Sequence, residues 1–205
     1  MSLTTPSTRP IPSFLLTPAA FARLVLAAAV AGLGLAGQAD AQSGASDPAA
    51  RGKYLVDTSG CHDCHTPFKL GPKGPVPDMS RMLSGHPEAM VLPPAPQLPP
   101  GPWAVVSAAT NTAHAGPWGV SYTANLTPDA DTGLGRWTVR DFVSTIRTGR
   151  HMGKGRPVLP PMPVPVYNHF TDQDLEAIFA YLRTVPAISN RVPEPMPPAA
   201  ATAQK

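Results

Sequence analysis

The chain has 205 residues, 42% of them hydrophobic and 14% charged, with a formal net charge of +3, which suits one small domain plus a leader and loops. Its Lys and Arg residues are scattered, with no run of five or six, so the clustered charge of a nucleic-acid footprint is missing. The 28 prolines supply no backbone N–H and interrupt helices and sheet ladders, which predicts a few helices joined by long, stiff loops.

In chain order, the first feature is an apolar run of about 14 residues, Leu24 to Gly37, the length of a signal-peptide core and short for a spanning helix. Arg9 and Arg23 precede it. Ala39-Asp40-Ala41 follows, with small residues at the two positions a signal peptidase reads. Residues 1–41 are therefore read as a signal peptide and Gln42 as the mature start. In a bacterial cell that route leads to the periplasm; an uncleaved leader would instead leave the chain membrane-anchored. Cleavage removes Arg9, Arg23 and Asp40 and lowers the formal charge from +3 to +2, and bulk charge of that size points to no partner.

Asp47-Pro48 reads as an N-cap followed by proline at the first helical position, opening a helix from Pro48 to about Val56. Gly52 inside it costs about 1 kcal/mol relative to alanine. Gly60 marks the turn into Ser-Gly-Cys-His-Asp-Cys-His-Thr, residues 59–66, which holds both cysteines of the chain. Residues three apart share a helix face, so Cys61 and Cys64 project together, with His65 directly after them. Cys-x-x-Cys-His is the attachment signature of a c-type haem. Two thiols add across two vinyl groups on one porphyrin edge, and the next imidazole reaches the iron. A disulfide closing so short a loop gains little. A thioredoxin-like pair needs a βαβ setting that the flanks do not show. Zinc needs four ligands, and no second tight pair exists.

Residues 67–119 show little regular pattern. Pro93-Pro94-Ala95-Pro96 and Pro99-Pro100-Gly101-Pro102 suggest extended, polyproline-like backbone. Met79, Met82, Met90, His86 and His114 lie here. Trp103 and Trp118 either cover a haem face or plug the loop. At Thr138 the grammar changes: Thr138 and Asp141 form a candidate capping box, and Val139, Phe142, Val143 and Ile146 make one helical stripe that Gly149 is placed to end. The pattern returns at Thr171 and Asp174, followed by Leu175, Ile178, Phe179 and Leu182, until Pro186. Residues 193–205 are Pro- and Ala-rich and read as a flexible tail.

Between the two later helices, Met162 stands between Pro161 and Pro163. Rigid backbone on both sides suits a thioether held at a fixed place, and sulfur is a soft ligand for haem iron. Met162 is the preferred sixth ligand. Met152 follows, and Met79, Met82 or a histidine come after it. Trp137, Tyr167 and Arg136 line the pocket, contact propionates, or simply pack.

These residues resemble class I c-type cytochromes, and among them the cytochrome subunits that accompany membrane-bound bacterial alcohol and aldehyde dehydrogenases. The resemblance rests on Arg51 to Leu55 leading into Cys61 to Thr66, on Asn125 to Asp129 continued by Thr132 to Thr138 and Phe142, on Leu159 to Pro163, and on Asp172 to Leu175 through Ala180 to Arg183. It implies a mostly α, cytochrome c-like domain around one covalently attached haem c, with long proline-rich loops. The domain would span residues 42–192, with 67–119 as a loop insertion. It implies axial ligands at His65 and Met162, and a first and last helix that cross closely, with Gly52 opposite Phe179 or Tyr181. Such dehydrogenase subunits often carry three haem motifs; this chain has one. The function expected is single-electron transfer in the periplasm, with no catalytic residues of its own. The expected partner is a redox protein: a dehydrogenase, another cytochrome or a terminal oxidase. Membrane association would come only through that partner or an uncleaved leader. The rival expectation is a haem enzyme or gas sensor with an open sixth site.

Overall fold

The computed structural model describes residues 47–96, 98, 99 and 101–198. The expected signal peptide, and residues 199–205 of the expected tail, lie outside them. Helix α1 (Pro48–Thr58) begins as its sequence dictates: the Asp47 carboxylate accepts from the Ala49 N–H at 3.0 Å, and Pro48 sits where no donor is needed. Gly60 then turns the chain with φ +76°, a conformation glycine adopts without steric cost, into the short helix α2 (Cys61–His65).

The expectation of a mostly α chain needs correction. Of the described residues, 31% are helical and 14% are in strands or bridges. The strands form within residues 67–119, where the sequence shows little regular pattern, and the last of them runs just past that stretch. A hairpin of β1 (Phe68–Gly71) and β2 (Gly74–Pro77) is followed by an antiparallel sheet of β3 (Val106–Ser107), β4 (Ala113–Gly116) and β5 (Gly119–Tyr122), in the order β3-β4-β5. Each strand has two to four residues, too short for a clear two-residue alternation to show in the sequence.

Helix α3 (Val139–Thr148) carries the expected reciprocal capping box: the Thr138 hydroxyl accepts from the Asp141 N–H while the Asp141 carboxylate accepts from the Thr138 N–H at 2.9 Å. Gly149 ends the helix. After the single helical turn α4 (Val164–Tyr167) comes α5 (Asp172–Leu182). Thr171 caps α5 from its side chain, but the Asp174 carboxylate does not return the bond. It accepts instead from Arg51 of α1, Nε to Oδ1, at 2.9 Å.

The core lies where α1, α3 and α5 meet. Leu55, Val56, Phe142, Ile146, Leu175 and Leu182 are all buried, each contributing about 1.5–3 kcal/mol by leaving water. The most extensive packing between elements is α1 on α5, and Gly52 permits it. A Cβ there would sit 1.9 Å from the Ala177 carbonyl oxygen and 2.9 Å from Tyr181 Cβ, so the close crossing faces Ala177 and Tyr181. Met196 of the expected tail, and Arg191 just before that tail, are tied to the fold. Met196 and Val120 of β5 exchange two backbone hydrogen bonds of 2.9 Å, and the Arg191 N–H donates to Glu88 at 2.9 Å. Among the described residues no helix is long and apolar enough to cross a membrane.

Candidate functional site

Cys61, Cys64 and His65 on α2 open onto one chamber of about 610 Å³, within the range of about 300–1,000 Å³ usual for small-molecule and cofactor sites. Its apolar walls come from the core itself: Leu134, Phe142, Ile146, Leu175, Ile178 and Leu182. The two cysteines are not joined in a disulfide. Burial pushes the Cys61 thiol up to about 11, and raises that of Cys64 as well.

His65 is buried, and that burial lowers its pKa, so the imidazole is neutral. Its Nδ1 donates to the Ala124 carbonyl at 2.8 Å. This bond fixes the tautomer and ring orientation and leaves Nε2 for a metal ion. The Gly85 N–H, donating to the His65 carbonyl at 2.8 Å, holds the backbone as well.

The block from Asn125 onward explains why Ala124 stands where it does. Asn125 Nδ2 donates to the Ile188 carbonyl at 2.8 Å, and its Oδ1 accepts from the Thr127 hydroxyl and N–H at 2.7 and 3.0 Å. Asp129 accepts from the Thr132 hydroxyl and N–H at 2.6 and 2.8 Å, which holds its carboxyl below the usual carboxylate range. Arg183, just past α5, donates to the Leu134 and Gly135 carbonyls at 3.1 and 2.7 Å. The loop is braced at both ends and presents one carbonyl to His65.

Met162 lines the same chamber, half-buried against the core. Its loop is tied on two sides. Upstream, the Ser121 hydroxyl of β5 donates to the Pro160 carbonyl at 2.6 Å. Downstream, the Tyr167 hydroxyl of α4 donates to the Ser59 carbonyl, just before the thiol pair. The small sheet within residues 67–122 thus braces the Met162 loop. Sequence reasoning missed Ser121; no local signal marks a serine whose partner lies 39 residues away.

The other candidates divide. Met152 also lines the chamber but is 40% exposed, on a 3-10 turn at His151–Gly153. Met79, Met82, Met90, Trp103 and Trp118 are not among the chamber's lining residues. Trp118 packs over Gly116, whereas Trp103 is 78% exposed. His86 is tied to the Thr112 hydroxyl and the Met90 carbonyl, at 2.9 and 3.0 Å. His114 lines the chamber with Nδ1 on Ser107 at 2.9 Å and a buried, unpartnered Nε2. Trp137, Tyr167 and Arg136 all line it, and Arg136 also pairs with Asp131. Among the described residues no three His, Cys, Asp or Glu side chains gather as a metal site. Two thiols, a neutral imidazole and a thioether around one apolar chamber fit a haem.

The profile of the cytochrome c family matches residues 49–186. The chain is 28% identical over 162 residues to the cytochrome c subunit of a quinone alcohol dehydrogenase from Gluconobacter oxydans, covering 77% of this chain and 26% of that protein. It is 28% identical over 134 residues to the fructose dehydrogenase cytochrome subunit of Gluconobacter japonicus, covering 65% and 20%. To the gluconate 2-dehydrogenase cytochrome c subunit of Pantoea cypripedii it is 30% identical over 131 residues, covering 64% and 22%. The match spans about a quarter or less of the length of these relatives.

Proposed function

Because this chain belongs to the cytochrome c family, we propose that it is an exported single-electron carrier with one haem c. In this reading residues 1–41 direct it to the periplasm and residues 42–192 form the haem domain. Cys61 and Cys64 would hold the haem covalently through their sulfurs, and the His65 imidazole and the Met162 thioether would bind its iron. The haem supplies a one-electron iron couple. The rest is the work of the polypeptide. The Ala124 carbonyl orients His65, Ser121 and Tyr167 hold the Met162 loop, and the apolar walls exclude water. Rigid loops around His65 and Met162 would change little with oxidation state, and a thioether committed to the iron would leave a substrate no open place there. The partner is a redox protein, and the dehydrogenase subunits among the relatives favour a dehydrogenase.

The observation that carries the proposal is the lining of one chamber by Cys61, Cys64, His65 and Met162. The experiment is intact mass and absorption spectroscopy of the protein matured in a host competent for cytochrome c. One covalent haem is expected, with a weak sulfur-to-iron band at the long-wavelength end of the visible spectrum in the oxidised form. Met162→Ala removes that band and Met152→Ala keeps it. A chain without haem mass overturns the electron-carrier reading. The reverse pattern of variants moves the ligand to Met152. A normal spectrum without the sulfur band favours the open sixth site.

A further inference from the structure

The walls of the chamber include helices α3 and α5 and the braced loop after Ala124. One wall is built differently. Five consecutive residues past the last helix, Arg191, Val192, Pro193, Glu194 and Pro195, also line it. None of them belongs to a helix or a strand. Val192 and Pro195, three positions apart, are half-buried, while Pro193 and Glu194 between them are exposed. That spacing suits an extended, proline-rich chain laid with one of its three faces inward.

This segment is held at its two ends. At the near end the buried Asn190 donates from its N–H to the Thr132 hydroxyl at 2.9 Å and from its side chain to the Ser84 and His86 carbonyls at 2.7 and 2.8 Å. At the far end Met196 and Val120 exchange their two backbone bonds along the edge of β5 that β4 leaves free. Gly119 makes room for that contact: a Cβ there would sit 2.0 Å from the Met196 carbonyl oxygen and 2.6 Å from the Pro197 carbonyl carbon. Between the ends, Glu194 meets Arg156 at 3.2 Å in an exposed ion pair, which contributes little. Pro193, Pro195, Pro197 and Pro198 have no N–H to give. A wall fixed by so few backbone bonds opens more readily than one made of packed helix.

We propose that residues 191–196 form a strap that closes the haem chamber, with the Met196–Val120 bridge as its latch. The inference rests on the electron-carrier reading. Latched, the strap keeps water from the haem, which favours the less charged reduced state and raises the reduction potential. It also keeps small reactants out of the chamber. Unlatched, the same side opens to solvent, and both protections are lost together.

The test uses the full haem-loaded chain. Met196→Pro removes the N–H that donates to Val120, and Met196→Leu keeps it; Met196 is 48% exposed, so neither change reaches the core. Gly119→Ala pushes the strap away from the other side. Three quantities are read: tryptic cleavage after Arg191, followed by mass; the reduction potential; and the rate at which the reduced protein gives one electron to hexacyanoferrate(III), an anion, or to tris(phenanthroline)cobalt(III), a cation, after correction for the measured potentials. In Met196→Pro, cleavage quickens by about threefold or more. The ratio of oxidised to reduced protein at a fixed applied potential rises by about threefold, a fall of about 30 mV in potential. Both oxidants react faster whatever their charge. Gly119→Ala acts in the same direction, and Met196→Leu leaves all three quantities unchanged. Faster cleavage with an unchanged potential and unchanged rates overturns the strap as a seal. Cleavage unchanged in Met196→Pro, or equal effects of Met196→Leu and Met196→Pro, overturns the bridge as its latch. Oxidants that respond in opposite directions report charge rather than access, and overturn the seal as well. A protein that exchanges electrons with neither oxidant overturns the carrier reading beneath it.

Discussion

Tyr167 and Ser59 are 108 positions apart, yet the tyrosine hydroxyl donates to the serine carbonyl across the wall of the chamber. Tyr167 ends the helical turn that starts two residues after Met162, and Ser59 lies two residues before Cys61. One hydrogen bond therefore joins the proposed ligand loop to the proposed tether. Burial and the neighbouring Cys61 hold the Tyr167 phenol well above its ordinary value, so it stays a donor throughout the working range.

Removing that hydroxyl loosens the loop without removing the ligand. In Tyr167→Phe the Ser59 carbonyl loses this partner, at a cost of about 1–2 kcal/mol. Imidazole should then displace the sixth ligand about tenfold more readily, read by titration of the oxidised spectrum. Ser121→Ala, which frees the Pro160 carbonyl on the other side, should act in the same direction. Imidazole affinity unchanged in both variants would mean that neither bond holds the loop.

Gly52 allows a test in which two physical effects have opposite signs. Helix propensity alone makes Gly52→Ala stabilising by about 1 kcal/mol. Packing says otherwise, because the new methyl would overlap the Ala177 carbonyl oxygen of α5, and backbone cannot give way as a flexible side chain can. The expected outcome is a loss of about 3 kcal/mol, or a melting temperature lower by about 6–12 °C. A rise would show that α1 and α5 do not approach as described.

Asn190 is 2% exposed and holds the loop between β2 and β3 with both ends of its amide. It donates to the Ser84 and His86 carbonyls at 2.7 and 2.8 Å and accepts from the Glu88 N–H at 2.8 Å. Asn190→Ala strands buried groups and should cost about 3 kcal/mol by denaturant titration. The same loop carries Gly85, whose N–H steadies His65, so the haem spectrum should become more sensitive to denaturant. Asn190→Asp keeps the acceptor and loses the donors, and should fall between the two.

Acid stability follows the Asp129 loop. Hydrogen bonds from Thr132 depress the Asp129 carboxyl in the folded protein, so its contribution is present above the unfolded value, near about 4, and is lost as pH falls through the lower folded value. Asp78 and Asp141 are depressed in the same direction, by bonds from Lys69 and from Thr138 respectively. Melting temperatures should therefore hold from pH 7 to about 5 and fall below about 4. The deficit of Asp129→Asn relative to the unaltered protein should shrink over that fall. A deficit that stays constant to pH 2.5 would remove Asp129 from the account.

The sequence by itself determined the parts of this protein whose physics is local. Asp47-Pro48 starts α1, Thr138 with Asp141 starts α3, and Thr171 starts α5, because a cap and its helix lie within four residues of each other. The Cys61, Cys64 and His65 spacing is local for the same reason, since a helical turn brings those groups together. Only the tertiary structure decided what depends on long closures. The strands between Phe68 and Tyr122 are too short to announce themselves and exist through their pairing. Asp174 bonds Arg51 rather than its own N-cap, because α1 lies against α5. The hold of Ser121 on Pro160, of Tyr167 on Ser59 and of the Ala124 carbonyl on His65 joins residues 39, 108 and 59 positions apart. No local pattern encodes such bonds; they form because burying the core of α1, α3 and α5 brings those backbone groups within reach and leaves them no water to bind instead.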